Sequence, residues 1–252
     1  MEPFSQRLER ITAAQRAGTA FDFEGMLERH YRRLVRPGDT VADVGAHTGR
    51  HLACLLDCVG PTGRVLAYEP LPFAFGQLQA RFDQPNVTLC NVALAGAGGR
   101  LPFVHAEGTP EESGLRQRVY NNPAAARPRQ IEVAVETLDD RLEAVEHLRY
   151  VKVDVEGGEM DVLSGAGGVL SKQRPFFSVE YGRPGYSAYG HGLFTLFDFA
   201  EANGYAMYDV FGHRLGRDEW ARSCDVICWD FFMVPVGKTA EFEHCVPPVA
   251  LG

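Results

Sequence analysis

The sequence has no run of about 18 apolar residues, the length that a membrane-spanning helix requires. Its amino-terminal stretch, MEPFSQRLERITAAQ, also has no continuous apolar core of the kind that signal peptides carry. We therefore expect no membrane span and a cytoplasmic location.

Positive charge is in short supply, because 25 Lys and Arg residues are set against 33 Asp and Glu residues, for a net charge of −8. Binding to nucleic acid requires a basic surface that neutralises phosphates, so we expect no nucleic-acid partner. The locally basic stretch 29–36 is typical of the solvated face of a helix.

The cysteines lack the spacing of a zinc site. Cys54 and Cys58 are separated by three residues, as are Cys224 and Cys228, whereas zinc knuckles use closer pairs with turn residues between them. We therefore expect reduced, buried cysteines.

The length of 252 residues favours one large α/β domain with additions over two equal domains. Residues 1–36 show helical apolar spacing and are predicted to form a cover, followed by a main domain over 37–236 and a tail over 237–252. Inside the main domain, the irregular polar stretch 108–129 predicts a substrate-facing loop. Association into a homo-oligomer is left open.

Residues 41–49 (VADVGAHTG) join a hydrophobic strand to a glycine turn and a helix-permissive segment. At such a junction, backbone N–H groups and the positive end of the helix dipole face a bound ligand. Gly45 allows close approach to the main chain, Gly49 permits tight packing, and Asp43 is placed to meet a positive group. The pattern predicts a cofactor-binding loop at the edge of a doubly wound sheet.

The next strand ends at Glu69, 24 residues after Gly45. An acidic residue at this place accepts hydrogen bonds from the ribose hydroxyls of an adenosine, and a solvated strand-end carboxylate is the alternative. A third predicted strand, 86–94, carries Asn91, which is placed to contact an adenine edge.

Residues 149–157 alternate so that Lys152, Asp154 and Glu156 share one face and valines the other. A central strand between helices should be apolar on both faces, so these charges require pairing, a ligand or a cleft. A buried ion pair of Lys152 with an acid is one interpretation. Carboxylates at the ligand-binding edge are the favoured one, and Glu180 ends the following strand in the same way.

The last two predicted strands, 205–210 and 225–234, are about a dozen residues apart, which suits an antiparallel pair. Residues 96–105 predict a β-hairpin arm. The glycine turn does not match the G-x-G-x-x-G fingerprint of dinucleotide-binding enzymes. Nicotinamide enzymes and S-adenosylmethionine enzymes nevertheless share an acidic strand end after a glycine loop, so the first two strands do not decide between them.

The motifs 41–49, 68–70 (YEP), 91–93 (NVA), 151–159 (VKVDVEGGE) and 230–235 (DFFMVP) resemble, in this order, those of the FkbM-type methyltransferases. The likeness runs from about residue 21 to residue 235, and its most specific part is the Lys-x-Asp-x-Glu-Gly-x-Glu run. It implies a class I methyltransferase fold: a Rossmann-like α/β seven-stranded sheet with an antiparallel last strand and helices on both faces. It also implies S-adenosylmethionine as donor and O-methylation of a hydroxyl on a sugar, a glycan or a secondary metabolite such as a polyketide.

The resemblance further implies a set of site residues. The donor would be held by Glu69 at its ribose, by Asn91 at its adenine, and at its methionine part by the loop, whose residues are Asp43, Gly45, Ala46, His47, Thr48 and Gly49. His47 stands where the family more often has Asn. Asp154, beside the donor, is the first candidate for a catalytic contact, with Glu156 as a further one. Apart from the resemblance, His191 on a loop and His105 on the predicted hairpin are candidates for the general base.

The strand-end acids have a second interpretation, a Mg²⁺ site formed by Asp154, Glu156 and Glu180 that binds and acidifies the hydroxyl. Ion pairs with Lys152 explain the same acids. Two other functions also stay open at this stage, a nicotinamide-dependent oxidoreductase and a non-catalytic cofactor-binding protein.

Overall fold

A computed structural model describes residues 4–249, so the first three residues of the predicted cover and the last three of the predicted tail lie outside it. Strands alternate with helices along most of the chain. The strands of the main sheet are β1 (Thr40–Val44), β2 (Arg64–Tyr68), β3 (Val87–Cys90), β7 (Leu148–Val153), β8 (Phe176–Glu180), β9 (Tyr205–Asp209), β10 (Arg214–Leu215) and β11 (Asp230–Pro235), and those of a smaller sheet are β4 (Ala93–Leu94), β5 (Gly99–Ala106) and β6 (Pro128–Glu136).

The helices range from single turns to more than three turns. They are α1 (Phe4–Arg16), α2 (Phe23–Leu34), α3 (Arg50–Val59), α4 (Pro72–Arg81), α5 (Pro123–Ala126), α6 (Leu138–Leu142), α7 (Glu159–Ser164), α8 (Arg183–Tyr186), α9 (Thr195–Ala202), α10 (Arg217–Ser223) and α11 (Thr239–Cys245). Short 3₁₀ turns cover Pro110–Glu112, Ser187–Tyr189 and Val236–Lys238, and a π-helical turn covers Val169–Gln173. No helix within residues 4–249 combines the length and apolar character that crossing a bilayer requires.

The main sheet has the order β10-β9-β11-β8-β7-β1-β2-β3. Neighbouring strands from β8 to β3 are parallel, and β11 is inserted antiparallel between β8 and β9. This arrangement confirms the predicted class I methyltransferase fold. The eighth strand, β10, is a two-residue addition at the edge that pairs antiparallel with β9. The seventh strand begins at Asp230, later than predicted, because residues 224–228 form a turn closed by an isolated bridge.

The central strands are buried along their whole length, which explains their apolar composition. All five residues of β1 are buried, as are four of the five residues of β8. Helix α3 packs against β1 and β2, and α9 packs against β9. A strand covered on both faces in this way reads as a nearly continuous hydrophobic run. All six cysteines are free, and Cys54, Cys224 and Cys228 are buried.

The smaller sheet contains the predicted hairpin arm. Strands β5 and β6 pair antiparallel from Gly99 opposite Val135 to Ala106 opposite Pro128, and β4 pairs parallel with β6. The predicted strand 86–94 is thus two strands, since the chain leaves the main sheet at residue 91 and enters the smaller sheet. A capping box formed by Thr137 and Asp140 begins α6.

The amino-terminal helices are fastened to the main sheet by buried contacts. Arg7 of α1 pairs with Asp209 at the end of β9 at 2.6 Å, and both side chains are almost completely buried. Helix α2 packs against α3 and begins at Asp22, whose side chain accepts a hydrogen bond from the Gly25 N–H. Glu24 in its first turn thereby reaches the carboxyl ends of the central strands, where it lines a cavity.

Candidate active site

A cavity of about 370 Å³ lies at the carboxyl ends of the central parallel strands. It sits where β1 is flanked by β2 on one side and β7 on the other, the switch point at which ligands bind in open α/β sheets. Its walls come from the glycine turn, the ends of β2, β7 and β8, and the 108–129 segment. Among the lining residues are Gly45, His47, Glu69, Asp154, Leu115 and Tyr189.

The glycine turn is bound to its neighbours through its own backbone. The N–H groups of Gly45 and Ala46 both donate to the Tyr68 carbonyl, and the His47 N–H donates to the Glu69 carboxylate at 2.8 Å. The Gly49 N–H donates to the Ala46 carbonyl. The sequence predicted that the N–H groups of this turn are free to face a ligand. This was wrong for these four residues, because buried backbone N–H groups are almost always paired within the protein. Gly45, Ala46, His47 and Thr48 all line the cavity, and their contact with the donor stays a prediction.

Gly45 is required by close approach to the loop that follows β7. Its φ is +85°, and an added Cβ would lie 1.8 Å from the Asp154 carbonyl oxygen. Gly49 has a different role, since a Cβ there would meet the Phe82 ring at 2.4 Å and Leu78 at 2.8 Å. Gly49 therefore allows the turn to pack on α4 and does not line the cavity.

Glu69 lies at the cavity wall with its carboxylate fixed from two sides. Its Oε2 accepts the His47 N–H and its Oε1 accepts the Leu71 N–H, each at 2.8 Å. The side chain is 4% exposed, and burial raises its pKa to about 7 against the opposing effect of the two backbone bonds. Each carboxylate oxygen has a second lone pair, so the group can still accept two hydroxyl hydrogens.

Asn91 does not reach the cavity, in contrast to the predicted adenine contact. Its side-chain amide donates to the Glu69 carbonyl at 2.8 Å and to the Pro70 carbonyl at 3.1 Å. It therefore stabilises the chain that carries Glu69. The apolar wall of the cavity beside Glu69 is formed instead by Leu71, Val92 and neighbouring residues.

Lys152 is the centre of a buried charge cluster. It is 3% exposed, and its Nζ donates to Asp154 Oδ2 at 2.8 Å. Asp43 of β1 stands beside it in register and is fully buried, so the predicted positive neighbour of Asp43 is Lys152 and not a ligand. Burial alone would lower the pKa of Lys152, but the carboxylates of Asp154 and Asp43 raise it above its usual value.

Asp154, Glu156 and Glu180 meet at the strand ends, with carboxylate oxygens within 4.8 Å of one another. Burial would raise the pKa of Asp154, but Lys152 and a hydrogen bond from Glu180 hold it at about 2. Burial and the adjacent Asp154 charge raise the pKa of Glu180 well above its usual range. Asp154 is thus ionised while Glu180 retains a proton, as expected when acids crowd into one site.

Asp230 is a fourth acid of this cluster that the sequence analysis did not single out as a site residue. It lies opposite Glu180 in the antiparallel register of β11 and β8, and it lines the cavity. Burial, followed by the Asp154 charge, raises its pKa to about 7. Asp230 is the first residue of the DFFMVP motif, so the sequence did contain it. Only the pairing of β11 with β8 shows that this aspartate reaches the site.

Glu156 forms a salt bridge with Arg118, so the 108–129 segment reaches the strand-end acids. The three acids are near enough to share a cation, but the positive charges of Lys152 and Arg118 already neutralise two of them. The donor set therefore does not fit Mg²⁺ well, and we assign no step of the reaction to a metal ion.

The last acid of the Lys-x-Asp-x-Glu-Gly-x-Glu run has a structural role. Glu159 is buried, and one of its oxygens accepts the N–H groups of Val155 and Gly157, each at 3.0 Å. It thereby fixes the loop that presents Asp154 and Glu156. This explains the spacing of the motif, because a carboxylate at the start of α7 satisfies the backbone of the preceding turn.

The histidine candidates are placed differently from the prediction. His191 follows the turn after α8 and does not line the cavity, and His105 of β5 does not line it either. His51 of α3 does line it, bonded to the Glu24 carboxylate. Glu24 was missed because the charged residues of a predicted cover helix are usually solvated, and His51 because nothing in the sequence of α3 shows that Glu24 lies beside it.

Comparison with known proteins places the chain in a family. Residues 43–207 match the model of the methyltransferase FkbM domain. A curated relative, Methyltransferase 1 from Beauveria bassiana (strain ARSEF 2860), is 31% identical over 163 residues, which cover 56% of this chain and 64% of that protein. The chain thus spans less than two thirds of the length of this relative.

Solved structures with a similar fold include a methyltransferase FkbM from Methylobacillus flagellatus KT, with 16% identity, a TM-score of 0.47, and coverage of 91% of this chain and 57% of that one. Aeropyrum pernix fibrillarin in complex with natively bound S-adenosyl-L-methionine is 13% identical, with a TM-score of 0.42 and coverage of 80% and 68% of the two chains. Since the family model covers more than half of its residues, this chain belongs to the FkbM methyltransferase family.

Proposed function

We propose that this protein transfers a methyl group from S-adenosylmethionine to a hydroxyl oxygen of a sugar, a glycan or a secondary metabolite. The observation that carries the proposal is the composition of the cavity, which joins Glu69 and an apolar wall at one end to a cluster of carboxylates at the other. The first end suits an adenosine. The second suits a cationic centre beside a polar acceptor.

The residues at the donor end would hold the nucleoside. Glu69 has two oxygens that can each accept a ribose hydroxyl while remaining bonded to the backbone. Leu71 and Val92 offer an apolar surface to a purine ring. When bound, S-adenosylmethionine supplies a methyl carbon on a positively charged sulfur, and the ionised Asp154 at the strand ends favours that charge.

Among the carboxylates at the strand ends, Asp154 would orient the acceptor and Asp230 would accept its proton. Asp154 has a pKa of about 2 and is bound to Lys152, so it is a weak base suited to orienting the acceptor hydroxyl. Glu180 already carries a proton. Asp230, with a pKa of about 7, is matched to accept the hydroxyl proton near neutral pH, where general bases are most effective.

The proposal is tested by incubating the protein with methyl-deuterated S-adenosylmethionine and a set of glycosides and polyketides, and by analysing the products by mass spectrometry. We expect a labelled methyl ether on one hydroxyl. Thermal-shift measurements with S-adenosylhomocysteine and with NAD separate the alternatives. Tighter binding of NAD would indicate an oxidoreductase, and binding of S-adenosylhomocysteine without any labelled product would indicate a non-catalytic protein.

A further inference from the structure

A second cavity of about 260 Å³ adjoins the first and shares Glu156 and Glu180 with it. The shared acids are those at the predicted point of reaction. The remainder of the second cavity is different in character, since it is lined by Arg118, Asn121, Trp229 and the glycines at 157, 182 and 185. A ligand in this cavity would meet the donor cavity only at the two shared carboxylates.

Two of the glycines that line the second cavity are packed against each other. A Cβ added to Gly157 would lie 2.7 Å from the Gly185 backbone, and one added to Gly185 would lie 2.8 Å from Gly157. Gly157 also has a φ of +105°, which side chains rarely adopt. The β7 loop and the start of α8 are therefore in direct contact, and both glycines line the cavity without a side chain to fill it.

Trp229 forms an exposed aromatic wall at this cavity. Its side chain is 46% exposed, whereas the other tryptophan, Trp220, is fully buried. The indole packs against Gly182, where an added Cβ would lie 2.6 Å from it, and it meets the Phe23 ring edge to face with 6.3 Å between ring centroids. A half-exposed indole offers a large apolar face to a ligand ring, and its two side-chain torsions keep the entropic cost of ordering it low.

The polar groups around this indole set the charge of an acceptable ligand. Arg118 is paired with Glu156, so its charge is already neutralised. Asn121 is held by its backbone N–H, which donates to the buried Glu112 at 2.8 Å. Among the described residues that line this cavity, Arg118 is the one cation, and it is already paired, so the cavity offers an anionic ligand no unpaired positive charge and favours a neutral ligand.

We infer that the second cavity is the acceptor subsite and that it takes one uncharged, hydroxylated ring of the size of a pyranoside. The less polar face of the ring would lie on Trp229, and one hydroxyl would point between Glu156 and Glu180 toward the donor cavity. A volume of about 260 Å³ lies just below the range of roughly 300–1,000 Å³ of drug-sized ligand pockets, which favours a single ring over a whole macrolide. This inference rests on the proposed function: the acceptor oxygen forms the new C–O bond, the S–C bond breaks, and the hydroxyl proton passes to Asp230.

Tryptophan fluorescence gives a direct test, since Trp229 is the half-exposed one of the two tryptophans. The protein, saturated with S-adenosylhomocysteine, is titrated with methyl glycosides of glucose, galactose, fucose and rhamnose, with glucuronate, and with a macrolactone that has no sugar. We expect at least one neutral glycoside to change the emission saturably, and glucuronate and the macrolactone to bind more weakly. If none of the neutral glycosides binds, or if the macrolactone binds more tightly, the inference is wrong.

Substitution separates this subsite from the donor site. Trp229→Ala should weaken binding of the same glycoside about tenfold, measured by ligand-observed NMR, which is the loss of roughly 1.4 kcal/mol expected for an aromatic contact. Binding of S-adenosylhomocysteine should stay unchanged. Val226→Ala, at another exposed apolar residue of the same loop, is the matched control and should leave both unchanged. Unaltered glycoside binding in Trp229→Ala would overturn the subsite, whereas failure of the wild type to bind S-adenosylhomocysteine would overturn the proposed function.

Discussion

Replacing Gly45 by alanine should separate the ends of β1 and β7 at the proposed donor site. The new Cβ would lie 1.8 Å from the Asp154 carbonyl oxygen, whereas real Cβ contacts essentially never fall under 3.0 Å. The ends of β1 and β7 must therefore separate by more than about 1 Å, because both partners are backbone and neither can rotate away. The backbone at Gly45 is also left-handed, with a φ of +85°.

Gly18→Ala is the matched control for this substitution. Gly18 has almost the same φ, +83°, and a Cβ there would meet no atom within 4 Å. The control should lose only the roughly 1–2 kcal/mol that a left-handed backbone costs a side chain. Gly45→Ala should lose more stability than this, and a displacement of about 1 Å at the reaction centre should reduce turnover about 100-fold.

Urea unfolding gives the stability of both variants, and calorimetry with S-adenosylhomocysteine gives their donor affinity. We expect Gly18→Ala to bind the ligand like the wild type and Gly45→Ala to bind it at least about tenfold more weakly, a loss of roughly 1.4 kcal/mol. The reasoning would be refuted if the two variants lost equal stability and both retained wild-type affinity. In that case the contact between Gly45 and Asp154 would not shape the donor site.

Three further predictions concern the acids of the site. Glu69→Gln should weaken S-adenosylhomocysteine binding about tenfold to 100-fold in calorimetry, because an amide cannot accept hydrogen bonds from both backbone N–H groups and from two ribose hydroxyls. The control variant Glu132→Gln, at an exposed glutamate, should bind S-adenosylhomocysteine like the wild type. If Asp230 is the general base, kcat should rise with pH through about 7. Asp154→Asn should move that rise to lower pH, because it removes a negative charge that raises the pKa of Asp230. A pH profile that does not move in this variant would exclude Asp230 as the base. EDTA should leave turnover unchanged, and a loss restored by Mg²⁺ would show that the strand-end acids hold a metal.

The mostly parallel sheet was predictable from the sequence, and the point at which the chain changes sheets was not. Apolar runs separated by glycine turns and helices indicate a parallel sheet wherever they occur. The division of 86–94 into β3 and β4 was missed, because only Asn91 and Val92 separate the two strands and no glycine or proline marks the break. Only the pairing of β4 with β6 shows that the chain has changed sheets.

The sequence indicated cavity-lining residues where each directly follows a strand, and it gave no signal where distant elements meet. The loop 45–48, Glu69 and Asp154 line the cavity because each follows a strand directly. Asn91 has the right residue type and the right strand end, but its amide is used by the Glu69 and Pro70 carbonyls. Asp230 and Glu24 reach the cavity from β11 and α2, and their distance from the other site residues in the sequence concealed them.

The central claim, that the cavity at the strand ends is a donor site for S-adenosylmethionine, is tested most directly by calorimetric titration with S-adenosylhomocysteine and NAD. We predict one S-adenosylhomocysteine per chain, no comparable binding of NAD, and a clear loss of affinity in Glu69→Gln. Tighter binding of NAD than of S-adenosylhomocysteine, or an affinity that does not change in Glu69→Gln, would contradict this account.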